Sequence, residues 1–500
     1  MSSTSRASSS AELSLEDITI IDNDKLKKAV TASALGNAME WFDFGVYGFI
    51  AITLGKVFFP ETTGSVQILA TLATFAVAFL VRPLGGVFFG LLGDKVGRQK
   101  ILATTILIMA VSTFCIGLIP SYATIGLWAP ILLLACRLLQ GFSTGGEYSG
   151  ATVFIAEYSP DRKRGFMGSW LDFGSIAGFL LGAGLVTLIT YLLSDQQLLD
   201  WGWRIPFFIA GPLGLIGLYL RSQLDETPTF EQHQEKLQAD EELGISKVSF
   251  KEILINHWRP LLICIGLVIV MNVTYYMLLT YMPSYLNHNL HYAESHGVIL
   301  IIVIMIGMLF VQPSIGFLSD KIGRKPIVIV GCIGLFCLSI PCFYLITTGK
   351  VAYIFIGLMI LGILLNMFTG VMASTLPALF PTSIRYSALA ISFNISVSLF
   401  CGTTPLIAAW LTETTNNLMM PAYYLMVVAV IGLVAILFTK ETANRPLRGA
   451  TPAASDRAEA KELLQEHHDY IEGKVDELTA QIDELTEKRD RLIEQHPELK

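Results

Sequence analysis

Ionisable side chains interrupt several long apolar stretches of this sequence, where a charge is costly. Glu40 and Asp43 stand three positions apart and therefore lie on one face of a helix. Later apolar stretches in the first half of the sequence are interrupted by Arg82, Arg137 and Glu147. Because an ionised group at the depth of a lipid bilayer carries a large free-energy cost, each of these residues needs a partner or a function.

Two kinds of chemistry suit these residues. A carboxyl group in a partly dry cavity can carry a proton, which makes Asp43, Glu147 and Glu40 candidates for proton coupling. An arginine can bind a substrate carboxylate through two parallel hydrogen bonds, so we interpret Arg82 and Arg137 as candidate substrate ligands. Mutual structural pairing of these groups is the open alternative, and it is at least as good an interpretation for Asp172, near the end of its stretch.

Aromatic residues accompany these charges. An aromatic cage beside an arginine suits a zwitterion whose ammonium group is substituted, while plain packing is the alternative for each ring. The candidate cage residues are Trp41, Tyr47, Tyr148, Tyr275, Tyr276 and Tyr281.

Composition assigns the chain to a broad class. Of its 500 residues, 53% are hydrophobic and only 15% are charged, against roughly 25% charged in soluble domains. No basic face for nucleic acid, no metal-ligand cluster, no Walker A loop and no nucleophile elbow is found. We therefore expect a membrane protein that is not an enzyme, with no metal, no cofactor and no nucleic-acid partner.

Twelve apolar stretches are long enough to cross a bilayer, which needs roughly 20 residues each. They begin near Thr31, Val66, Ile101, Trp128, Gly165, Trp203, Trp258, Gly297, Pro326, Val351, Ile384 and Pro421. Basic residues concentrate in the loops on one side, which predicts that both termini are cytoplasmic. The sequence thus predicts an all-α, multi-pass membrane protein in contact with lipids.

The same pattern predicts six segments. They are an N-terminal tail (1–24), a first six-helix half (25–221), a cytoplasmic linker (222–257), a second half (258–440), a flexible spacer (441–456) and a coiled-coil tail (457–500).

An internal repeat is the most specific signal in the chain. Its motif holds Gly90, Asp94, Gly97 and Arg98 in one copy and Gly316, Asp320, Gly323 and Arg324 in the other, 226 positions later. Weaker echoes pair 160–164 with 381–385, and Glu226-Thr227 with Glu441-Thr442. The motif resembles the loop motif of the major facilitator superfamily, and the resemblance implies a gating role in which Asp94 faces a helix N-terminus and Arg98 reaches Glu157, with Arg164 in a neighbouring basic turn.

These motifs resemble those of the major facilitator superfamily. Residues 37–48, 82–86 and 140–148 resemble hallmarks of its metabolite:proton symporter family. The resemblance implies the major facilitator fold, with twelve transmembrane helices in two pseudo-repeated six-helix halves. It also implies proton symport of a small metabolite by alternating access.

The tail shows a heptad pattern, which predicts a coiled coil and a possible homodimer. Its core positions are His468, Ile471, Val475, Leu478, Ile482, Leu485, Arg489 and Leu492. A membrane-surface amphipathic helix is the alternative. Family members with such a tail take up proline, glycine betaine, ectoine and related zwitterions when osmolality rises, and the resemblance implies that activity here. A dicarboxylate or other organic acid as substrate, or an osmosensor that does not transport, are the alternatives.

Overall fold

Twelve long helices form a bundle in the part of the chain that the structure describes, residues 14–60, 64–232, 234–235, 256–290 and 294–495. In this computed structural model the first six helices are α1 (Asn23–Phe58), α2 (Gly64–Val96), α3 (Arg98–Leu118), α4 (Trp128–Tyr158), α5 (Arg164–Leu192) and α6 (Ile205–Ser222). The second six are α7 (Trp258–His288), α8 (Glu294–Ile322), α9 (Arg324–Thr347), α10 (Val351–Thr375), α11 (Thr382–Thr415) and α12 (Met420–Leu437). A further helix, α13 (Arg457–Gln495), follows the bundle.

Hydropathy and length agree with the predicted membrane spans. Among the described residues, eleven of the helices are long and apolar enough to cross a membrane. The exception is α4, which carries Arg137, Glu147 and Glu157 along its length. α4 packs against α2 and α3 inside the first half, so protein rather than lipid surrounds its charged residues.

Small residues bring α1 and α5 into close contact. A Cβ atom added at Gly178 would lie 1.9 Å from the Ala38 carbonyl oxygen, and one at Gly174 would lie 2.2 Å from that of Ala34. Lipid tails are as apolar as leucine, so membrane helices associate through such close van der Waals contacts. This packing fixes the orientation of α1, and with it the direction of the helix face that carries Glu40 and Asp43.

The two halves meet through equivalent helices. α2 packs against α11, and its repeat counterpart α8 packs against α5. A Cβ atom at Gly90 would lie 2.8 Å from the Ser387 Cα atom, and one at Gly316 would lie 2.5 Å from the Ser169 Cβ atom. Glycine at both motif positions therefore allows the halves to approach each other.

Two helices of the second half contain a π-helical segment. In α7 it covers Tyr276–Tyr281, and in α11 it covers Val397–Cys401. Such segments are rare and often occur at functional sites. In α7 the segment directly follows Tyr275, one of the predicted cage residues.

The end of the bundle at which α1 begins and α12 ends is called the terminal face below. There, residues 443–455, called the strap, lie across both halves. Strand β1 (Thr19–Ile20) pairs in parallel with β2 (Ala453–Ala454) of the strap. Leu447 and Ala454 are buried. The composition predicts a flexible spacer over 441–456, whereas the structure shows a packed segment whose backbone hydrogen-bonds to the bundle.

Helix α13 starts on the terminal face. Arg162, in the turn before α5, contacts Glu462 at 2.7 Å and Glu466 at 2.6 Å. Farther along the helix, the apolar heptad residues Ile471, Val475, Leu478, Ile482, Leu485 and Leu492 are about half exposed or more. Most of the predicted linker, at 233 and 236–255, lies outside the described residues.

Candidate functional site

An aromatic cluster lies where α1 of the first half meets α7 of the second. The ring centroid of Trp41 lies 4.5 Å from that of Tyr275 and 6.0 Å from that of Tyr276. All three side chains are buried. In the described part of the chain, Trp41 Nε1 and Tyr275 Oη have no hydrogen-bond partner. The cluster therefore presents aromatic faces together with two unused polar atoms.

Arg82 borders this cluster and forms a buried ion pair. Its Nη2 atom donates to Glu40 Oε1 at 2.9 Å, and both side chains are almost fully buried. Its guanidinium carbon lies 5.7 Å from the ring centroid of Phe44 and 5.8 Å from that of Phe79. Asn394, from the second half, accepts from Arg82 Nε at 3.4 Å. An acid, a base and aromatic faces thus share one position between the halves.

Asp43 has neutral hydrogen-bond partners. The hydroxyl of Thr113 donates to it, as does the amide of Gln140 at 3.4 Å. Arg137 donates to Gln140 Oε1 at 2.8 Å and stacks over Tyr47 with 3.3 Å between its guanidinium carbon and the ring centroid. The predicted residues Arg137 and Tyr47 therefore adjoin Asp43 through Gln140, and their contacts differ from those of the Trp41 cluster.

Glu147 is held by an arginine that the sequence analysis missed. Arg221, at the end of α6, contacts Glu147 Oε1 at 2.5 Å, and Thr105 donates to Oε2 at 2.6 Å. A Cβ atom at Gly36 would lie 1.9 Å from Arg221 Nη2, so this glycine makes room for the guanidinium. The position of Arg221 at the end of a span resembles a membrane anchor, and its sequence context gives no signal for this pairing.

The remaining cage candidates lie apart from each other. Tyr148 stacks on Phe393, with 4.4 Å between ring centroids, and its hydroxyl donates to Asp172 Oδ2 at 3.1 Å. Tyr281 is 5.7 Å from the Tyr285 ring centroid. Of the predicted aromatic residues, Trp41, Tyr275 and Tyr276 therefore form the cluster beside Arg82, and Tyr281 belongs to a different set of contacts.

The first copy of the repeated motif connects three elements on the terminal face. Gly97 has a φ angle of +117°, which L side chains rarely adopt. Glu226 accepts from the backbone N–H of Gln99 at 3.2 Å and so caps α3. Asp94 accepts from the backbone N–H of Ser387 at 2.9 Å and from its hydroxyl at 2.6 Å. Asp94 thus binds the first α-helical turn of α11, which begins at Arg385, in the opposite half.

The second copy repeats this arrangement. Gly323 has a φ angle of +98°, and Glu441 accepts from the first backbone N–H groups of α9 at 3.1 and 3.0 Å. Asp320 accepts from the backbone N–H groups of Gly165 and Phe166 at 2.7 and 2.8 Å, at the start of α5. Backbone N–H groups at a helix start favour a carboxylate. Glu226 and Glu441, whose echo in the sequence is weak, therefore act as equivalent helix caps.

The pKa values of Glu441 and Glu226 shift in opposite directions. Burial alone would raise the pKa of Glu441, but backbone hydrogen bonds from Ala443, Arg324, Lys325 and Thr442 outweigh it and lower the pKa. For Glu226, burial dominates and raises the pKa. The second cap is therefore the one that favours the ionised carboxylate.

Glu157 joins the two halves through arginines. It contacts Arg98 Nε at 3.5 Å and Arg385 Nη1 at 2.6 Å, and all three side chains are buried. Arg98 also donates to the Thr382 carbonyl at 3.1 Å in the opposite half. The predicted Arg98–Glu157 contact is present, and Arg385 of the second half completes it.

The strap closes this network. Arg164 pairs with Asp161 and donates to the Arg445 carbonyl at 3.0 Å. Arg385 donates to the Arg448 carbonyl at 2.8 Å. Arg324 donates to the carbonyls of Ser374 and Thr442 at 3.0 and 3.2 Å. Buried cations from both halves therefore bind backbone carbonyls at the terminal face.

Comparisons with known proteins place this geometry in a family. Residues 28–453 match the family described as sugar (and other) transporter, and residues 455–500 match the osmosensory transporter coiled coil. The proline/betaine transporter of Salmonella typhimurium is 68% identical over 490 residues, which cover 97% of this chain and 98% of that protein. The glycine betaine/proline/ectoine/pipecolic acid transporter of Dickeya dadantii is 67% identical with the same coverage.

A solved structure agrees on the fold. The proton:xylose symporter bound to 6-bromo-6-deoxy-D-glucose superimposes with a TM-score of 0.69 at 19% identity, over 88% of this chain and 99% of that one. The predicted major facilitator fold and the coiled-coil tail are both confirmed. This chain belongs to the sugar (and other) transporter family of the major facilitator superfamily.

Proposed function

We propose that this chain is a proton symporter that takes up zwitterionic osmolytes such as proline, glycine betaine and ectoine, and that high osmolality activates it. The names of its relatives, at 67–68% identity over nearly the whole chain, support the substrate class. The match to the osmosensory coiled coil supports the activation. The observation that carries the proposal is that the Glu40–Arg82 pair lies beside the Trp41 cluster between the halves.

The site suits a zwitterion at both ends. A fully substituted ammonium has no N–H to donate, so aromatic faces such as those of Trp41 and Tyr275 are the groups that attract it. The substrate carboxylate would meet Arg82 and the two unused polar atoms, Trp41 Nε1 and Tyr275 Oη. A buried donor without a partner costs about 1–3 kcal/mol, and a bound carboxylate would remove that cost.

Asp43 is the proposed proton carrier of the three predicted carboxyl groups. Glu40 and Glu147 each contact an arginine, at 2.9 and 2.5 Å, and an adjacent cation favours the ionised form. The hydrogen bonds of Asp43 come from the neutral groups of Thr113 and Gln140.

The terminal face is proposed to be cytoplasmic, with both termini on that side of the inner membrane. Basic residues in short loops favour the cytoplasmic side, and Lys25, Lys95, Arg162 and Lys321 lie at this end. The network of Asp94, Asp320 and Glu157 would then be the cytoplasmic gate, closed here. Opening it would release the substrate and the proton inside, as alternating access requires.

Proton coupling supplies the energy for accumulation. A neutral zwitterion carried with one proton moves one positive charge. Each 100 mV then provides about 2.3 kcal/mol, or roughly 50-fold accumulation. A pH gradient adds to this value.

The tail is proposed to set the activation threshold and to pair with a second copy through its heptad face. The half-exposed Ile471, Val475 and Leu478 support the pairing. Two truncations separate the tail from the strap. Ending the chain after Asp456 removes α13, and should shift the osmolality of half-maximal uptake with the gate intact. Ending it after Thr442 also removes the carbonyls that bind Arg164 and Arg385, and should impair transport itself.

The test of the function is uptake of labelled glycine betaine into proteoliposomes under an imposed proton gradient, at a series of external osmolalities. Uptake that rises with osmolality and collapses with an uncoupler would support the proposal. Uptake of a dicarboxylate in place of betaine would reassign the substrate within the family. A protein that binds betaine without moving it would instead be a sensor.

A further inference from the structure

Asp172 is a buried carboxyl group to which no role has been given so far. In the described part of the chain its hydrogen bonds come from the hydroxyls of Tyr148, at 3.1 Å, and Ser175, at 3.4 Å. Ser175 in turn accepts from the Asn37 amide at 2.5 Å. Every group that donates to Asp172 is therefore neutral, in contrast to the arginine partners of Glu40 and Glu147.

The charged groups around Asp172 lie on the helices that pack against α5. On α1 the buried carboxyl groups are Glu40, which Arg82 binds, and Asp43, to which Thr113 and Gln140 donate. On α4 Glu147 is bound by Arg221 of α6. On α8 Asp320 binds the start of α5, and α10 contains no ionisable acid or base other than Tyr353 near its far end. Tyr148 is in direct contact with Asp172, and Tyr275 of α7 also interacts with it electrostatically.

Asp172 occupies a position between the central site and the gate. It lies eight residues, about 12 Å along the helix axis, from Arg164 at the start of α5. On the other side, Asn37 of the same hydrogen-bonded chain precedes Trp41 by one helical turn. A proton moving from the central site toward the cytoplasm would pass this level.

Tyr148 links Asp172 to the opposite half. Its ring stacks on Phe393 of α11 with an interplanar angle of 16°, while its hydroxyl binds Asp172. α11 is the helix whose first turn Asp94 holds in the closed gate. Opening of the gate would move α11 away from the first half, take Phe393 off Tyr148 and admit water to the carboxyl group.

We propose that Asp172 is the residue from which the coupling proton enters the cytoplasm. With the gate closed, Asp172 is a carboxylic acid. When water arrives, the O–H bond breaks, the proton passes to water as hydronium, and the electron pair stays on a carboxylate that Tyr148 and Ser175 stabilise. A proton from the central site restores the acid after the gate closes. This inference rests on the proposed proton symport and assigns its exit step.

The first test uses Asp172→Asn in proteoliposomes, with accumulation and counterflow of labelled glycine betaine measured in parallel. At 100 mV the unaltered protein should accumulate betaine roughly 50-fold. Asp172→Asn should lose this accumulation and keep counterflow, which needs no net proton release. Asp172→Glu should recover part of the accumulation, and the exposed control Asp195→Asn should match the unaltered protein. Full accumulation by Asp172→Asn would overturn the inference.

A second variant leaves Asp172 in place, which covers the case in which Asp172→Asn loses all activity. Phe393→Ala removes the ring that covers Tyr148, and should raise proton entry measured without substrate by a pH-sensitive dye inside the liposomes. Unchanged proton entry in Phe393→Ala would refute the exit role. If the unaltered protein moves no betaine under any condition, the proposed function fails, and the dye measurement still tests Asp172.

Discussion

Neutralising Asp94 or Asp320 should open the terminal face. Each carboxylate belongs to one half and binds the first turn of a helix in the other half. Asp94→Asn removes the negative charge and one acceptor oxygen, and the same holds for Asp320→Asn. Each substitution should destabilise the closed state and not the open state, because opening separates α2 from α11 and α8 from α5. The neighbouring contacts with Arg98 and Arg324 each lie within one half, so separating the halves need not break them.

The size of the effect follows from the contacts. Asp94 accepts two bonds from Ser387, at 2.9 and 2.6 Å, and one from the Tyr386 backbone at 3.3 Å. A bond to a charged group contributes about 1.5–3 kcal/mol, and a carboxylate at a helix start about 0.3–1 kcal/mol. Asparagine keeps part of the bonding, so we expect a loss of about 2 kcal/mol, or roughly a 30-fold shift toward the open state.

Alkylation of a cysteine at Ala373 measures this shift, in a background without the native cysteines. Ala373 of α10 faces Gly168 of α5 across the halves, so it is shielded only while the gate is closed. The matched control is Asp225→Asn, since Asp225 of the linker pairs with Lys25 of the first half on the same face, and this pair does not join the two halves. The double variant Asp94→Asn/Asp320→Asn should show nearly additive shifts, since the two carboxylates share no partner. Labelling rates equal to that of the control in both single variants would refute the gating argument.

Three further predictions concern the terminal face. Thermal unfolding in detergent measures the first two. Gly97→Ala should lower the free energy of unfolding by about 1–3 kcal/mol, because the φ angle of Gly97 is +117° and the new Cβ atom would lie 2.1 Å from Glu226. Gly126→Ala should lower it less, because Gly126 also has a positive φ angle but open space around it. Glu441→Gln should lower the free energy of unfolding at neutral pH. This difference from the unaltered protein should vanish as the pH falls through the lowered pKa of Glu441, because the native carboxylate is then protonated. A difference that grows on acidification would contradict the capping role. Arg162→Ala should release the start of α13 from the terminal face already at low salt, whereas the unaltered protein should release it only at high salt. Spin-label distances between α13 and the bundle measure this release.

The sequence predicts the bundle and the repeated motif of the terminal face well because both depend on local signals. Membrane crossing requires long apolar stretches, and composition reveals these directly. The repeat is visible because Gly97 and Gly323 must adopt positive φ angles and because Asp94 and Asp320 stand at a fixed spacing from them. A motif of fixed spacing within one turn can be found without knowing which helix it will contact.

The partners across the bundle could not be predicted in this way. Arg82 and Glu147 are visible as costly charges, but the sequence does not show that they bind Glu40 and Arg221. Those pairs depend on how α1, α2, α4 and α6 pack. The strap is a clearer case, since residues rich in Pro, Ala and Gly suggest flexibility. Its order comes from backbone carbonyls that Arg164 and Arg385 bind, and backbone groups leave no mark in a sequence.

The uneven distribution of charge between the halves bears on how the transporter moves. The buried ion pairs at membrane depth, Glu40–Arg82 and Glu147–Arg221, lie wholly within the first half. Breaking such a pair costs about 3–5 kcal/mol, so a rigid first half that keeps both pairs avoids this cost during each cycle. The helices with π segments, α7 and α11, carry no acidic or basic residue in their central portions and can change shape without separating charges. The inter-half charges lie instead at the terminal face, where opening exposes them to water rather than to lipid.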